Sequence, residues 1–293
     1  MMSYQMLQSF RAVILTGGSS GIGKSFIEHV GKLHPALVFF NLSRRPPEIK
    51  VPGLILRHFD CDLSNRAQIE AVCGELVGEI DREIPAGRIL LINNSGFGTY
   101  GPFPEPNLAR QLEMLEVNLC APVQLTARLL PTLRAHGGAI VNIASTSAFQ
   151  PTGHMATYGA SKAFLLHWSL ALSEELRGSG VHVLAVCPGP TSTQFFRSAG
   201  LDHSVVPDSV GQTPEEVVET TLHALARGRT MVVSGWKNKL LAALSSRLPK
   251  PLAARIAMRV IALGMIALHR MPCGAPSSAA MFISPQTPAL AAA

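Results

Sequence analysis

A chain of 293 residues that is 47% apolar and only 15% charged can bury a sizeable core, which excludes a disordered polypeptide. The formal charge of +6 would suit a nucleic-acid binder if it were spread evenly, but Lys237, Lys239, Arg247, Lys250, Arg255, Arg259 and Arg270 lie beyond Met231, where no Asp or Glu occurs, so the body before them is close to neutral and no nucleic-acid partner is expected. The cysteines, Cys61, Cys73, Cys120, Cys187 and Cys273, are odd in number and lack CxxC pairing or the His spacing of a zinc site, which predicts a reduced, cytoplasmic protein without a metal.

The opening MMSYQMLQSFRAVILTGG has no apolar core between a positive start and a small-residue cleavage site, so no secretory leader is predicted. From Ala12 onward, short β-branched runs alternate with amphipathic stretches, the pattern of a Rossmann-type, doubly wound parallel α/β sheet of about seven strands with helices on both faces. The first predicted strand, Ala12–Leu15, runs into Thr16-Gly17-Gly18-Ser19-Ser20-Gly21-Ile22-Gly23, and a helix is predicted over Ile22–Lys32. Strand, glycine loop and helix in that order form an anion site. Gly17 permits the tight turn, Gly21 lets backbone approach a pyrophosphate, Gly23 lets helix and strand pack closely, and free N–H groups with the helix dipole attract the phosphates. The second predicted strand, Ala36–Leu42, leads to Ser43-Arg44-Arg45. An NAD site places an acid there. A guanidinium instead clamps a 2′-phosphate, so Arg44, with Arg45 as helper, points to NADPH.

Further strands are predicted at Leu54–Phe59, Ile89–Ile92, Ala139–Ile143, Val181–Val186 and Thr230–Ser234. Helices are predicted at Arg66–Ile80, Asn107–Cys120, Val123–Ala135, Ala160–Arg177 and Pro214–Arg227. These βα units follow one another without a linker, so residues 1–235 are expected to form one nucleotide-binding catalytic domain. At mid-chain, Ile140-Val-Asn-Ile-Ala-Ser145 ends a strand and Tyr158-Gly-Ala-Ser-Lys162 opens a helix, so Tyr158 and Lys162 share one helical face. Hydride transfer to a carbonyl leaves an alkoxide that needs a proton. A tyrosine hydroxyl supplies it if its pKa falls toward neutrality, and the Lys162 ammonium would favour the phenolate; Ser145 would hydrogen-bond the substrate oxygen. His154 reads as a surface residue or pocket wall, and nothing near Cys187 in sequence would activate it.

Together these motifs resemble the short-chain dehydrogenase/reductase family, of the subtype with TGxxxGxG and YxxxK, from about Ala12 to Ser234. The resemblance implies that Thr16, Gly17, Ser19, Ser20, Gly21, Ile22 and Gly23 cradle the pyrophosphate. It also implies that Asp62 and Leu63 contact adenine, and that Asn94, Ser95 and Gly96 (within Asn93-Asn94-Ser95-Gly96, where serine replaces the family's alanine) lie along a ribose. Pro188, Gly189, Thr191 and Thr193 would hold the nicotinamide amide. Asn118, Ser145, Tyr158 and Lys162 would be catalytic, Lys162 also holding the nicotinamide ribose and Asn118 anchoring a water-linked proton relay. The activity so implied is an NADPH-dependent carbonyl reductase or alcohol dehydrogenase, expected as a homodimer or tetramer. The alternative is a catalytically silent NADP(H)-binding regulator or scaffold; such relatives usually lose the tyrosine or lysine, and both are kept. The expected pocket walls, Phe97–Phe103, Phe149–Met155 and Thr193–Pro207 with Phe195 and Phe196, are mostly apolar. They favour a lipophilic ketone, long-chain acyl or sterol-like, over a sugar.

Beyond Gly235 two basic amphipathic helices, Trp236–Leu248 and Leu252–His269, are predicted on either side of Pro249 and Pro251, giving an extension over 236–270, and the Pro-, Ser- and Ala-rich 271–293 is expected to be loose. The longest apolar run, Val260–Leu268, is far short of the ~20 residues a spanning helix needs. Leu240, Leu241, Leu244, Leu248, Leu252, Ile256, Val260 and Ile261 recur at helical spacing among cations. This stripe is expected to pack on the body or across a homodimer, with peripheral attachment to an anionic membrane as the alternative.

Overall fold

The computed structural model describes residues 2–193, 195 and 211–269. Seven parallel strands form one sheet: β1 (Phe10–Thr16), β2 (Val38–Ser43), β3 (Ile55–Asp60), β4 (Arg88–Asn93), β5 (Gly138–Ile143), β6 (Val181–Cys187) and β7 (Met231–Val233), in the order β3-β2-β1-β4-β5-β6-β7. Among the described residues the α-helices are α1 (Met2–Leu7), α2 (Gly21–Leu33), α3 (Arg66–Glu83), α4 (Leu108–Leu115), α5 (Ala121–His136), α6 (Ala156–Glu175), α7 (Pro214–Ala226), α8 (Trp236–Arg247) and α9 (Lys250–His269).

The central strands are apolar on both faces because both faces are covered. Along β1, Ala12 and Ile14 enter a core layer with α3, α5 and the end of α6, whereas Val13 and Leu15 enter the opposite layer with α2 and α7, the period-two alternation of a strand sandwiched between helices. Edge strand β3 instead alternates between exposed positions and half-buried or, at Phe59, buried ones, as its single neighbour requires. Helix starts are set by side chains that accept otherwise unpaired amides: Asn65 from Ala67 and Gln68, Asn107 from Arg110, and Thr213 in a reciprocal capping box with Glu216.

The predicted strands are recovered to within a few residues, and the doubly wound sheet is as expected. Three elements differ. The helix expected over Asn107–Cys120 ends as an α-helix at Leu115 and continues through Glu116–Cys120 as a π-helical turn that runs directly into α5. Helix α6 starts at Ala156, four residues earlier than the pattern indicates, which places Tyr158 in its first turn. Helix α1 was not predicted, because a short apolar segment has no strong periodicity; Leu7, at its end, is buried against the α2 layer.

Strand order reverses between β1 and β4, and in a doubly wound sheet the crevice at the C-terminal ends of such a pair is where ligands sit. The glycine loop follows β1, Asn94 to Gly96 follow β4, and Ser145 follows β5. Helices α8 and α9 follow β7. They pack on the body through small residues, Ala242 and Ala253, while Trp236, Leu240, Leu241, Leu244, Leu252, Ile256 and Met258 face outward. That corrects the expectation that the stripe packs on the body for Leu240, Leu241, Leu244, Leu252 and Ile256: close helix approach is made by the alanines, which leaves these side chains exposed on the single chain.

Candidate active site

The loop after β1 is tied down from two sides. Gly17 and Gly21 adopt φ of 74° and 56°, backbone that favours glycine. On one side, fully buried Asn41 of β2 accepts from the Gly18 amide (2.8 Å), donates to Ser43 Oγ (2.8 Å) and lies 3.0 Å from His58 Nδ1. On the other, Thr16 Oγ1 accepts from the amides of Asn94 (3.0 Å) and Ser95 (2.9 Å), and Asn94 Nδ2 donates to the carbonyls of Thr16 (2.9 Å) and Gly17 (3.3 Å). Asn94 therefore fastens the β1 and β4 loops together, and its Nδ2 is committed to them. A Cβ on Gly23 would overlap the Gly17 carbonyl, so glycine here allows α2 to start against the loop. Ser20 precedes α2 in extended backbone without capping it through its side chain, which leaves the first-turn amides for an anion; Ser19 and Ile22 flank this opening.

Asn41 was missed as a functional residue, since an asparagine inside an apolar strand gives no motif. Asn41→Ala strands the buried Gly18 amide, a cost of about 1–3 kcal/mol. Urea unfolding followed by circular dichroism should show that loss, and an unchanged midpoint would mean the loop holds itself.

At the far rim, Arg44 follows β2 and Asp62 follows β3. Burial pushes the Asp62 carboxyl up, but hydrogen bonds from the Ser64 amide (2.9 Å) and hydroxyl (2.8 Å) and the charge of Arg44 outweigh it and hold the group below its ordinary value. Leu63 is buried beside it. Arg44 Nη1 lies 3.8 Å from Glu113 Oε1, and such an exposed pair contributes little, so the guanidinium stays available to a stronger anion.

At the centre, the π-helical turn carries Asn118 into the core, a local geometry often found at functional sites. Asn118 Nδ2 donates to the Phe97 carbonyl (3.0 Å) and Ser161 Oγ (3.0 Å), and its Oδ1 accepts from the Phe97 amide (3.2 Å). A relay through Asn118 thus has one open position, the second lone pair of Oδ1. Ser161, another residue that sequence reasoning missed, donates to the Tyr158 carbonyl (2.7 Å) and so links Asn118 to the first turns of α6. Its only signal was a polar side chain three residues after Tyr158 on a helix whose neighbours are apolar.

Tyr158 is 7% exposed and Lys162 4% exposed. Lys162 Nζ donates to the Ile143 carbonyl (2.9 Å), lies 5.9 Å from the centroid of the Tyr158 ring, and would be 3.1 Å from a Cβ on Gly96. Burial pushes the Tyr158 hydroxyl up to about 12, with the Ser145 hydrogen bond acting the other way, and burial pushes Lys162 down to about 8, opposed by Cys187. This corrects the expected direction for Tyr158: without a ligand, desolvation wins and Lys162 is not among the causes acting on the phenol. Ser145 Oγ accepts from the Ser147 amide (3.1 Å), which fixes its side chain beside Tyr158.

The described residues just after β6 lie beside the site. Pro188 O accepts from the Thr146 amide (2.8 Å), Thr191 Oγ1 donates to Gly189 O (3.0 Å), and a Cβ on Gly21 would lie 3.2 Å from Thr193, so Thr193 rests over the glycine loop. The Phe195 ring meets Tyr158 with centroids 5.2 Å apart, and Phe195, Met155 and Tyr158 all converge on Gly98. Of the expected pocket walls, Gly98, Met155 and Phe195 therefore face the tyrosine; residues 149–153 instead line a groove beneath α9, and 196–207 lie outside the described residues. His154, at φ 57°, packs on Tyr100 with ring centroids 5.5 Å apart, as a wall residue. Burial pushes the Cys187 thiol up to about 12, the opposite of an activated nucleophile. Among the described residues no cluster could hold a metal ion.

The family model of the short chain dehydrogenases matches residues 11–203. The chain belongs to the short-chain dehydrogenase/reductase family. Relatives within it include the ketoacyl reductase HetN of Nostoc sp., 31% identical over 234 residues that cover 76% of this chain and 78% of that one. The uncharacterized oxidoreductase YbbO of Escherichia coli is 31% identical over 224 residues, 73% of this chain and 81% of its own. Among solved structures, a short-chain dehydrogenase from Sphingobium yanoikuyae in complex with NADPH aligns with TM-score 0.67 at 28% identity, over 82% of this chain and 97% of that one. One from Burkholderia cenocepacia in complex with NADP aligns with TM-score 0.69 at 25% identity, over 85% and 98%. In this short-chain dehydrogenase/reductase, Asn118, Ser145, Tyr158 and Lys162 meet at the C-terminal ends of β4 and β5, beside the glycine loop.

Proposed function

We propose that this oxidoreductase uses NADP(H) to reduce a lipophilic ketone, or oxidise the corresponding alcohol, with Tyr158 as the acid/base. The observation that carries the reading is the buried ammonium of Lys162. Of its three donors it spends one, on Ile143, and it sits beside Gly96 at the crevice, so two N–H groups remain for ribose hydroxyls. The uncapped start of α2 would take the pyrophosphate, and exposed Arg44 the 2′-phosphate. The NADPH- and NADP-bound structures of the two family members support this choice of cofactor.

When bound, the cofactor supplies the hydride. Tyr158 gives its hydroxyl proton to the substrate oxygen, and Ser145 Oγ donates a hydrogen bond to that oxygen as its negative charge develops. Lys162 holds the ribose, and Asn118 keeps residues 97 and 161 in register with the tyrosine. A phenol pushed up to about 12 is protonated at neutral pH, so it is ready as an acid for reduction, whereas oxidation needs the phenolate. Reduction should therefore be level around neutrality while oxidation rises with pH, and pH–rate profiles in both directions check it; oxidation that fell between pH 7 and 9 would contradict the assignment.

Lys162 gives a second pH effect. Bound phosphates favour the ammonium and raise its pKa in the complex above the value of about 8 in the free protein. NADPH affinity should thus be level below pH 8 and weaken by up to roughly tenfold per pH unit above it, until the pKa of the complex is passed. Fluorescence titration measures this, and Lys162→Met should flatten the slope.

Gly98, Met155 and Phe195 around Tyr158, and the likeness to a ketoacyl reductase, support a lipophilic substrate. Against ketones of increasing chain length, kcat/KM should rise by about fourfold per methylene that enters the pocket, from ~0.8 kcal/mol each. Sugars reduced as fast as long-chain ketones would reject the substrate class. The free thiols among the described residues fit a reducing, cytoplasmic setting.

A further inference from the structure

We infer that α8 and α9 dock this protein on an anionic membrane surface. Helix α8 and the first half of α9, through Arg259, are turned inside out. In α8, Asn238 and Ala242 face the body, Asn238 Nδ2 donating to the Ser234 carbonyl (2.8 Å), whereas Trp236, Leu240, Leu241 and Leu244 are 72%, 55%, 62% and 53% exposed. In α9, Ala253 is buried while Leu252 and Ile256 are 45% and 43% exposed. Spacings of three and four residues, as in Trp236–Leu240–Leu244, Leu241–Leu244 and Leu252–Ile256, put each set on one outward stripe. Contiguous apolar surface of this kind marks a binding face in a soluble chain.

The charge on this face selects its occupant. Lys237, Lys239, Arg247, Lys250, Arg255 and Arg259 are all exposed around the stripe, among the described residues none forms an ion pair, and the sequence has no Asp or Glu after Glu219. A second copy related by a two-fold axis would set this patch against itself, cation facing cation. A nucleic acid would satisfy the cations and leave the leucines in water. Acyl chains under anionic head groups satisfy both, which is how interfacial helices bind. A groove of about 820 Å³ under α9 repeats the pattern, with Phe149, Pro151 and Met258 in its walls, Lys250, Arg255 and Arg259 along it, and no acid. Attachment would lie flat, since among the described residues no helix is long and apolar enough to cross a membrane. Gly189 approaches the side chain of Asn238, so the inward side of α8, opposite the docking face, packs against the loop proposed to hold the nicotinamide.

Flotation of the full-length protein with phosphatidylcholine vesicles, with and without phosphatidylserine, tests this independently of turnover. Binding is expected with phosphatidylserine at low salt, loss of binding in high salt or on neutral vesicles, and a blue shift of fluorescence on binding that Trp236→Phe removes. Each cation near the surface contributes about fivefold, roughly 1 kcal/mol, so Lys237→Gln, Lys239→Gln and Arg247→Gln together should weaken partitioning on the order of 100-fold. Leu240→Gln with Leu244→Gln should abolish it while the circular dichroism spectrum is kept. Protein that stays below anionic vesicles at low salt overturns the inference, as does a dimer that Leu240→Gln with Leu244→Gln dissociates, or binding to duplex DNA that survives that pair.

Discussion

Replacing Tyr158 by phenylalanine should lower kcat by about 10² to 10⁴ while NADPH binds nearly as before. The ring keeps its place among Gly98, Met155 and Phe195, so packing changes little. What goes is the hydrogen bond with Ser145 and, on the proposed mechanism, the proton that would pass to the substrate oxygen. Burial makes this loss hard to repair, because a residue only 7% exposed has little water beside it to take over the transfer. Steady-state NADPH oxidation with a ketone that the wild type reduces, alongside a fluorescence titration of cofactor affinity, separates the two effects. A rate within tenfold of wild type would remove Tyr158 from the mechanism.

Arg44→Asp should move cofactor preference by about 2–4 kcal/mol toward NADH, a shift of roughly 30- to 1000-fold in the ratio of the two kcat/KM values. On the proposed reading, the substitution removes the guanidinium that would clamp the 2′-phosphate and sets a third carboxylate beside Asp62 and Glu113, so that phosphate would meet repulsion instead. Stability should hardly change, since Arg44 is exposed and its pair with Glu113 is long, at 3.8 Å. An unaltered ratio would place the phosphate elsewhere, on Arg45 or on Lys24, which pairs with Glu28 at 3.8 Å.

Most of the architecture was legible because it rests on short-range rules. Strands such as Ile89–Ile92 are apolar on both faces, glycine loops announce themselves, and Tyr158 and Lys162 share a helical face whatever surrounds them. What escaped reading depends on tertiary neighbours. The π-helical turn at Glu116–Cys120 has the apolar periodicity of a helix, and nothing local says that Asn118 is carried inward. Asn41 and Ser161 act through partners 23 and 43 residues away in sequence. The rise of the Tyr158 pKa was misjudged because spacing reveals the lysine but not the depth of burial, and burial is the larger effect. The outward turn of Leu240 and Leu244 was misjudged for the opposite reason: amphipathic spacing shows that a stripe exists, not whether alanines on the other face reach the body first.

The most direct test of the chemistry is isotope transfer. Wild-type protein and Tyr158→Phe would each be incubated with NADPH deuterated at nicotinamide C4, in two separate preparations labelled on either face, and a long-chain ketone, and the product alcohol analysed by mass spectrometry. One preparation should place deuterium on the carbinol carbon in the wild type, with the yield in Tyr158→Phe lower by about 10² or more at equal time. NADPH that binds both proteins yet passes no deuterium from either face to any ketone, or passes it equally fast with and without the hydroxyl, would contradict hydride transfer assisted by Tyr158.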